Sequence, residues 1–104
     1  MGILSILGFE NNKIKDALRR GAVIIDIRTA ADFDRGKVPD SVNIPVDRLT
    51  INIKRIRNIR VPIVICGPSD SINDTTIRML KENGVREIYN GGSWTKVLRL
   101  VKAL

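Results

Sequence analysis

The chain has 104 residues, 43% of them apolar and 28% charged, a composition typical of one globular domain with a single hydrophobic core. It contains one cysteine and no histidine, which excludes a disulfide framework, most zinc sites and any cysteine–histidine pair. The net charge of +7 is compatible with anionic ligands. The chain has no nucleic-acid-binding motif and no apolar run long enough to span a membrane, so we expect neither partner.

Alternating apolar and turn-forming segments predict an α/β domain. Strands are predicted at residues 22–27, 42–44, 63–65 and 87–89, and helices at residues 12–20, 30–35, 49–59, 72–82 and from 94 onward. Thr29, Ser71 and Ser93 are the expected N-caps, and residues 90–92 are expected to form a turn. This order predicts a mainly parallel central sheet with helices on both faces, in three layers.

The residues around the only cysteine are the most informative stretch. Ile63, Val64 and Ile65 form a β-branched run typical of a central parallel strand, and Cys66 lies where that strand is expected to end. A polar loop follows, made of Gly67, Pro68, Ser69, Asp70 and Ser71. Ligands of α/β sheets bind at the carboxyl ends of the strands, so this is where chemistry is expected.

Two interpretations of Cys66 follow from the residues alone. If the loop wraps into a helix N-terminus, its backbone N–H groups and the helix dipole lower the pKa of the thiol and make the thiolate nucleophilic. No histidine is present to act as its base, so backbone dipoles would have to activate it. The alternative is that Cys66 is a small apolar residue at the end of a buried strand, as free cysteines usually are.

The first nine residues form an apolar extension. They are too short for a signal peptide, lack its basic leader and miss the myristoylation pattern. We expect this segment to pack against the domain rather than to anchor it in a membrane, and we expect a cytoplasmic protein.

Four blocks of the chain resemble the motifs of single-domain rhodaneses, the sulfurtransferase family. Residues 24–33 read Ile-Ile-Asp-Ile-Arg-Thr-Ala-Ala-Asp-Phe, similar to the family's strand with its Asp-x-Arg motif. Residues 36–45 are similar to the family's Gly-His-Ile-Pro-Gly-Ala-x-Asn-Ile-Pro. The strand–cysteine–loop–helix unit and residues 88–94 complete the set. The order and spacing of the blocks imply one rhodanese-like domain, a three-layer sandwich, over residues 1–104.

The resemblance also implies roles for individual residues. Cys66 falls on the catalytic cysteine, which takes a sulfane sulfur from thiosulfate or a persulfide and passes it to a thiol or cyanide. Residues 67–71 and Arg28 are expected to bind the donor, and Asp26 to brace the site. The implied partners are a small anionic or persulfide donor, a thiol acceptor and a protein sulfur carrier. No metal and no cofactor is expected, and the protein is expected to be a monomer or a weak dimer.

The chain departs from the family at the loop. Rhodaneses often read Cys-Arg-x-Gly-x-Arg there, whereas Gly67 and Ser71 occupy the cation positions and Asp70 adds a negative charge. Pro68 also removes one backbone N–H. We therefore expect weak use of thiosulfate. Trp94 is expected either to line the pocket or to pack in the core.

Three other functions are compatible with parts of this sequence. Phosphatases and arsenate reductases of this fold need an arginine at the position of Ile72, and the first arginine after Cys66 is Arg78, so we do not expect that chemistry. A non-catalytic rhodanese-like binding or regulatory module is the main alternative. A basic nucleic-acid binder would reveal itself by an affinity that falls steeply with salt.

Overall fold

The computed structural model of this protein describes the backbone of residues 3–104 and the side chains of residue 8 and of residues 10–104. One four-stranded sheet runs through the domain in the order β2-β1-β3-β4, and every pairing in it is parallel. The strands are β1 (Val23–Asp26), β2 (Val42–Asn43), β3 (Ile63–Gly67) and β4 (Ile88–Ser93). The helices are α1 (Ile3–Arg19), α2 (Ala30–Arg35), α3 (Ile53–Arg57), α4 (Asp70–Glu82) and α5 (Trp94–Lys102), with one 3-10 turn at Val46–Arg48.

Helices cover both faces of the sheet, which confirms the predicted three-layer α/β fold. Ile65 of β3 packs on the face covered by Ile56 of α3 and Leu80 of α4. Val64, its neighbour in the strand, packs on the opposite face against residues of α1 and α5. Successive strand residues point to opposite faces, so a strand buried on both sides needs the continuous apolar run that the sequence has.

Most element ends lie where the capping residues predicted them. Thr29 caps α2 by accepting a hydrogen bond from the Asp32 N–H at 3.2 Å, and Ser93 caps α5 by accepting one from the Lys96 N–H at 3.2 Å. Gly84, which follows the end of α4, has φ of +90°, a conformation that glycine adopts without strain.

Two predicted helices have the wrong extent. The first begins at Ile3 rather than at residue 12, because no proline lies between them and the helix continues through Gly8. The prediction that residues 1–9 pack against the domain involves Met1, Gly2 and side chains that lie outside the described residues, so it stays a prediction. Within the described residues, no helix combines the length and the apolar content needed to cross a membrane. The predicted helix 49–59 shrinks to Ile53–Arg57, because Thr50, Ile51 and Asn52 are poor helix formers.

The sheet also reaches further than predicted at its carboxyl edge. Strand β3 continues through Gly67, and β4 continues through Ser93, so residues 90–92 lie in a strand rather than in a turn. Gly67 and Ser93 are paired across the two strands after a register irregularity. The fourth helix begins at Asp70, with Ser69 rather than Ser71 at its N-cap and no side-chain capping bond there.

Candidate functional site

Cys66 lies inside strand β3, one residue before the strand ends. Its side chain is 0% exposed and belongs to the apolar cluster that includes Val64, Ile14 of α1 and Val97 of α5. It is paired in register with Asp26 of β1, so the thiol and the Asp26 carboxylate are neighbours on the same face of the sheet. This position has the geometry that the second interpretation of Cys66 assumed, a small residue in a buried strand.

The electrostatics of this position favour the protonated thiol. Burial raises the pKa of Cys66 to about 12, and the negative charge of Asp26 and a hydrogen bond to it act in the same direction. The Arg28 guanidinium opposes this rise without cancelling it. The expected lowering of the thiol pKa is therefore wrong for this structure. The physical reason is that β3 extends through Gly67, which leaves the sulfur in the sheet instead of at the start of α4.

Asp26 and Arg28 form a buried ion pair at the end of β1. The Asp26 side chain is 0% exposed and that of Arg28 7% exposed, and the shortest of their bonds joins Arg28 Nη2 to Asp26 Oδ2 at 2.7 Å. Arg28 Nε also donates to both carboxylate oxygens at 3.0 Å, and the Arg28 backbone N–H donates to Oδ1. Such multiply bonded geometry is what compensates for removing two charges from water.

Arg28 also joins β1 to the segment around α2. Its remaining N–H groups donate to the carbonyl oxygens of Asp32 at 3.2 Å and Gly36 at 2.7 Å. Its guanidinium stacks on the Trp94 ring, 4.5 Å from the centroid. Trp94 is half-buried and also packs on the apolar cluster, so it combines the two expected roles, lining a pocket and packing in the core. The donors of Arg28 are thus largely occupied by the protein itself.

A hollow of about 430 Å³ opens beside these residues, and we call it the Trp94 hollow. Its walls include Arg28, Arg35, Gly36, Gly67, Pro68 and Trp94. Cys66 is not among the described residues that line it. Arg35 is a lining residue that the sequence did not single out: its side chain is 80% exposed and lies 3.3 Å from the Asp32 carboxylate. The hollow therefore has an accessible cation, supplied by α2 rather than by the loop.

The predicted loop residues do not all reach this hollow. Gly67 and Pro68 line it, whereas Ser69 and Ser71 lie side by side with their hydroxyl oxygens 3.3 Å apart and are not among its walls. Asp70 faces another way: its carboxylate lies 2.8 Å from the place where a Cβ on Gly92 would be, and it borders a separate depression. The structure thus brings Arg28, Gly67 and Pro68 together but not Asp70.

A buried amide pair holds the start of α4 against β4, and the sequence did not single it out. Asn73 is 0% exposed, and its Nδ2 donates to Asn90 Oδ1 and to the Gly92 carbonyl, both at 2.9 Å. Asn90 Nδ2 in turn donates to Asp74 Oδ1 at 2.9 Å. A Cβ at Gly67 would lie 2.8 Å from Asn73 Oδ1, so glycine is required there. The sequence signal that indicates such a residue is a polar side chain, here Asn73, on the inner face of an amphipathic helix.

Comparison with known proteins agrees with this architecture. A family model described as "Rhodanese-like domain" matches residues 10–98. No curated protein matches the chain.

Several solved structures have the same fold. The reduced CoADR-RHD of Bacillus anthracis superposes with a TM-score of 0.69 at 24% identity over 89% of this chain, which spans 16% of that protein. A rhodanese-like domain protein from Staphylococcus aureus gives 0.67 at 20% identity, covering 83% of this chain and 85% of that one. The SSP1007 protein of Staphylococcus saprophyticus subsp. saprophyticus gives 0.66 at 20% identity, covering 80% and 84%. At these identities the similarity shows the fold alone.

Proposed function

This chain belongs to the rhodanese-like domain family, and from that premise we propose that it transfers sulfane sulfur through a persulfide on Cys66. The family includes sulfurtransferases and also non-catalytic modules, so the proposal depends on the site itself. The observation that supports it is the position of the only cysteine, near the carboxyl end of the central strand and adjacent in sequence to Gly67 and Pro68, which line the Trp94 hollow.

The proposed reaction has two displacement steps. The Cys66 thiolate attacks the outer sulfur of the donor, the donor's own S–S bond breaks, and sulfite (from thiosulfate) or a thiolate (from a persulfide) leaves with the electron pair. An acceptor thiolate or cyanide then attacks the outer sulfur of the Cys66 persulfide. The new bond to that sulfur forms as the persulfide bond breaks, which returns Cys66 to its thiolate. No external oxidant or reductant is needed, because the sulfane sulfur is transferred unchanged in oxidation state.

The resting structure sets a requirement for this chemistry. With a pKa of about 12, only about one Cys66 in 100,000 is a thiolate at pH 7. Cys66 Sγ also has to reach the hollow, which it does not line. Both needs are met if the segment at residues 66–68 shifts when a donor or a carrier protein docks, which moves the sulfur away from Asp26 and towards the start of α4, where a thiolate is favoured.

The charge of the hollow favours one donor class. Arg35 is its accessible cation and is in an exposed ion pair with Asp32, which also lines the hollow, whereas Arg28 is buried in its pair with Asp26. A single exposed guanidinium supplies weak binding for a dianion such as thiosulfate. We therefore propose a persulfide donor, small or carried on a docked protein, and a thiol acceptor as the favoured pair.

A specific observation also supports a second candidate, a non-catalytic binding module. Cys66 is fully buried, its pKa is raised, and the negative charge of Asp26 lies beside it. Those are the features of a structural cysteine. In this case the Trp94 hollow would recognise a partner's side chain, and Cys66 would only fill the core.

Intact mass spectrometry separates the two candidates. The native protein is incubated with thiosulfate and, separately, with a small-molecule persulfide, alongside Cys66→Ser. The sulfurtransferase proposal predicts a gain of the mass of one sulfur atom on the wild type, lost in the variant, and reversed by cyanide with release of thiocyanate. If native protein gains no sulfur from either donor, while protein unfolded in urea does, the thiol is intact but inaccessible and the binding module is favoured.

A further inference from the structure

The amino-terminal edge of the sheet carries a second concave site, on the opposite side of the domain from the carboxyl edge. A pocket of about 510 Å³ lies between the end of α3, the start of β3 and the segment that leads into β4. We call it the arginine pocket, because Arg57, Arg60 and Arg86 surround it. Its floor includes Ile63, the first residue of β3. Ile63 and Cys66 are three positions apart in the strand, about 10 Å along it, so this pocket is separate from the Trp94 hollow.

None of the three arginines has an anionic partner among the residues that the structure describes. Within the described part of the chain, neither Arg60 nor Arg86 forms an ion pair or a side-chain hydrogen bond. Arg57 Nη1 donates to the Asn83 carbonyl oxygen at 3.3 Å, and its aliphatic part lies against Gly84. Three like charges around one concavity repel each other, and a bound anion would relieve that repulsion.

Glu87 supplies the one carboxylate among the described residues that line the pocket, and it already has partners elsewhere. Glu87 Oε2 accepts a bond from Arg20 Nη2 at 2.6 Å and one from the Tyr89 hydroxyl at 2.7 Å. These bonds lower the pKa of Glu87, so it stays ionised and paired with Arg20. It is therefore not a counter-ion for the three arginines, and the pocket keeps an unpaired positive charge.

Apart from Asn58 and Glu87, the remaining lining residues are apolar, and this favours a ligand that has an organic part as well as a charged one. Ile59, Val61, Ile63 and Val85 contribute to the walls, and Val61 is 39% exposed although it is apolar. The volume falls within the range of about 300–1,000 Å³ that small-molecule sites occupy. Guanidinium groups bind phosphate oxygens through paired N–H bonds. We propose that the arginine pocket binds an organic diphosphate, with its phosphates on the guanidiniums and its organic part on the apolar floor.

The test uses ADP and pyrophosphate as probes, with an acidic decapeptide as the competing ligand class. The informative variant is Arg60→Gln with Arg86→Gln, because neither side chain has a partner to lose among the described residues. The matched control is Arg35→Gln with Arg48→Gln, two exposed arginines that follow β1 and β2 in the chain, which removes the same charge at the carboxyl edge of the sheet. Binding is measured by calorimetry, and amide chemical shifts locate it on the chain.

ADP is expected to bind the wild type more tightly than pyrophosphate does, with amide shifts confined to residues 57–63 and 85–87. The pocket variant should lose at least about tenfold in affinity and the control less than about twofold. The proposal is overturned if neither phosphate probe binds, if both variants weaken binding equally, or if pyrophosphate binds as tightly as ADP. Binding of the acidic peptide in place of ADP would also overturn it, in favour of a protein partner.

Discussion

The burial of Cys66 leads to a quantitative prediction about its reactivity. Its pKa is about 12, against an ordinary value of 9.0. At pH 8, about one in ten ordinary thiols is ionised, but only about one in ten thousand with the raised pKa. Because alkylating reagents attack the thiolate, native Cys66 should react at least about a thousandfold more slowly than Cys66 in the unfolded chain.

The assay is alkylation by iodoacetamide, followed by intact mass over a range of pH, with native protein and with protein unfolded in urea. The unfolded protein should show a midpoint near the ordinary value, and the native protein should show no plateau below pH about 11. A native midpoint at or below 9, or a native rate within about tenfold of the unfolded rate at pH 8, would refute the reasoning. Cys66 would then be an accessible thiolate in a polar loop.

The same raised pKa has a consequence for stability, and its sign is fixed. The folded state holds its proton more tightly than the unfolded state, so the contribution is complete below pH about 9 and is lost as pH rises towards about 12. The full effect amounts to about 4 kcal/mol, of which about 2 should disappear between pH about 9 and 10.5. The free energy of unfolding, measured with urea, should therefore fall more steeply over this interval for the wild type than for Cys66→Ala. The variant is the control for the other titrating groups, which both proteins share.

Three further predictions concern the surroundings of the site. Arg28→Ala leaves the buried Asp26 carboxylate without its partner and should lower the free energy of urea unfolding by about 3–5 kcal/mol. Arg35→Ala breaks an exposed pair and should lower it by less than about 1 kcal/mol. Equal losses would contradict the assigned burial. Arg35→Gln should raise KM for thiosulfate about two- to fivefold, whereas Asp70→Asn should change it less than about twofold. A larger effect of the Asp70 change would place that carboxylate in the hollow. Gly91→Ala should lower the thermal midpoint, because its Cβ would lie 2.6 and 2.7 Å from core side-chain atoms; an unchanged midpoint would show that the core can yield.

The features that sequence predicted correctly are those with local causes. Thr29 and Ser93 cap helices through a hydrogen bond to a residue three positions on, and the β-branched run at residues 63–65 needs only its own side chains to indicate a buried strand. The order of strands and helices then follows from the short connections of parallel α/β folds. The family resemblance agrees with each of these elements.

The features that sequence missed depend on pairing between distant segments. The extension of β3 to Gly67 requires Ser93 as its partner, and the glycines that suggested a turn are instead needed for close packing. Arg35 reaches the hollow because of how α2 is placed against Trp94 and Gly36, which no local pattern encodes. Asp26 and Cys66 are likewise neighbours because of the register between β1 and β3.

That register links the sulfur chemistry to a movement of the chain. A persulfide adds a second sulfur about 2 Å beyond the first. In the present position it would enter a close-packed cluster of side chains from α1 and α5, and overpacking of this kind costs about 1–3 kcal/mol. The negative charge of a persulfide would also lie beside the Asp26 carboxylate. Both effects disfavour the loaded form inside the sheet and favour it at the start of α4. Sulfur loading, if it occurs, should therefore increase hydrogen exchange at residues 66–69, where a purely structural cysteine would leave exchange unchanged.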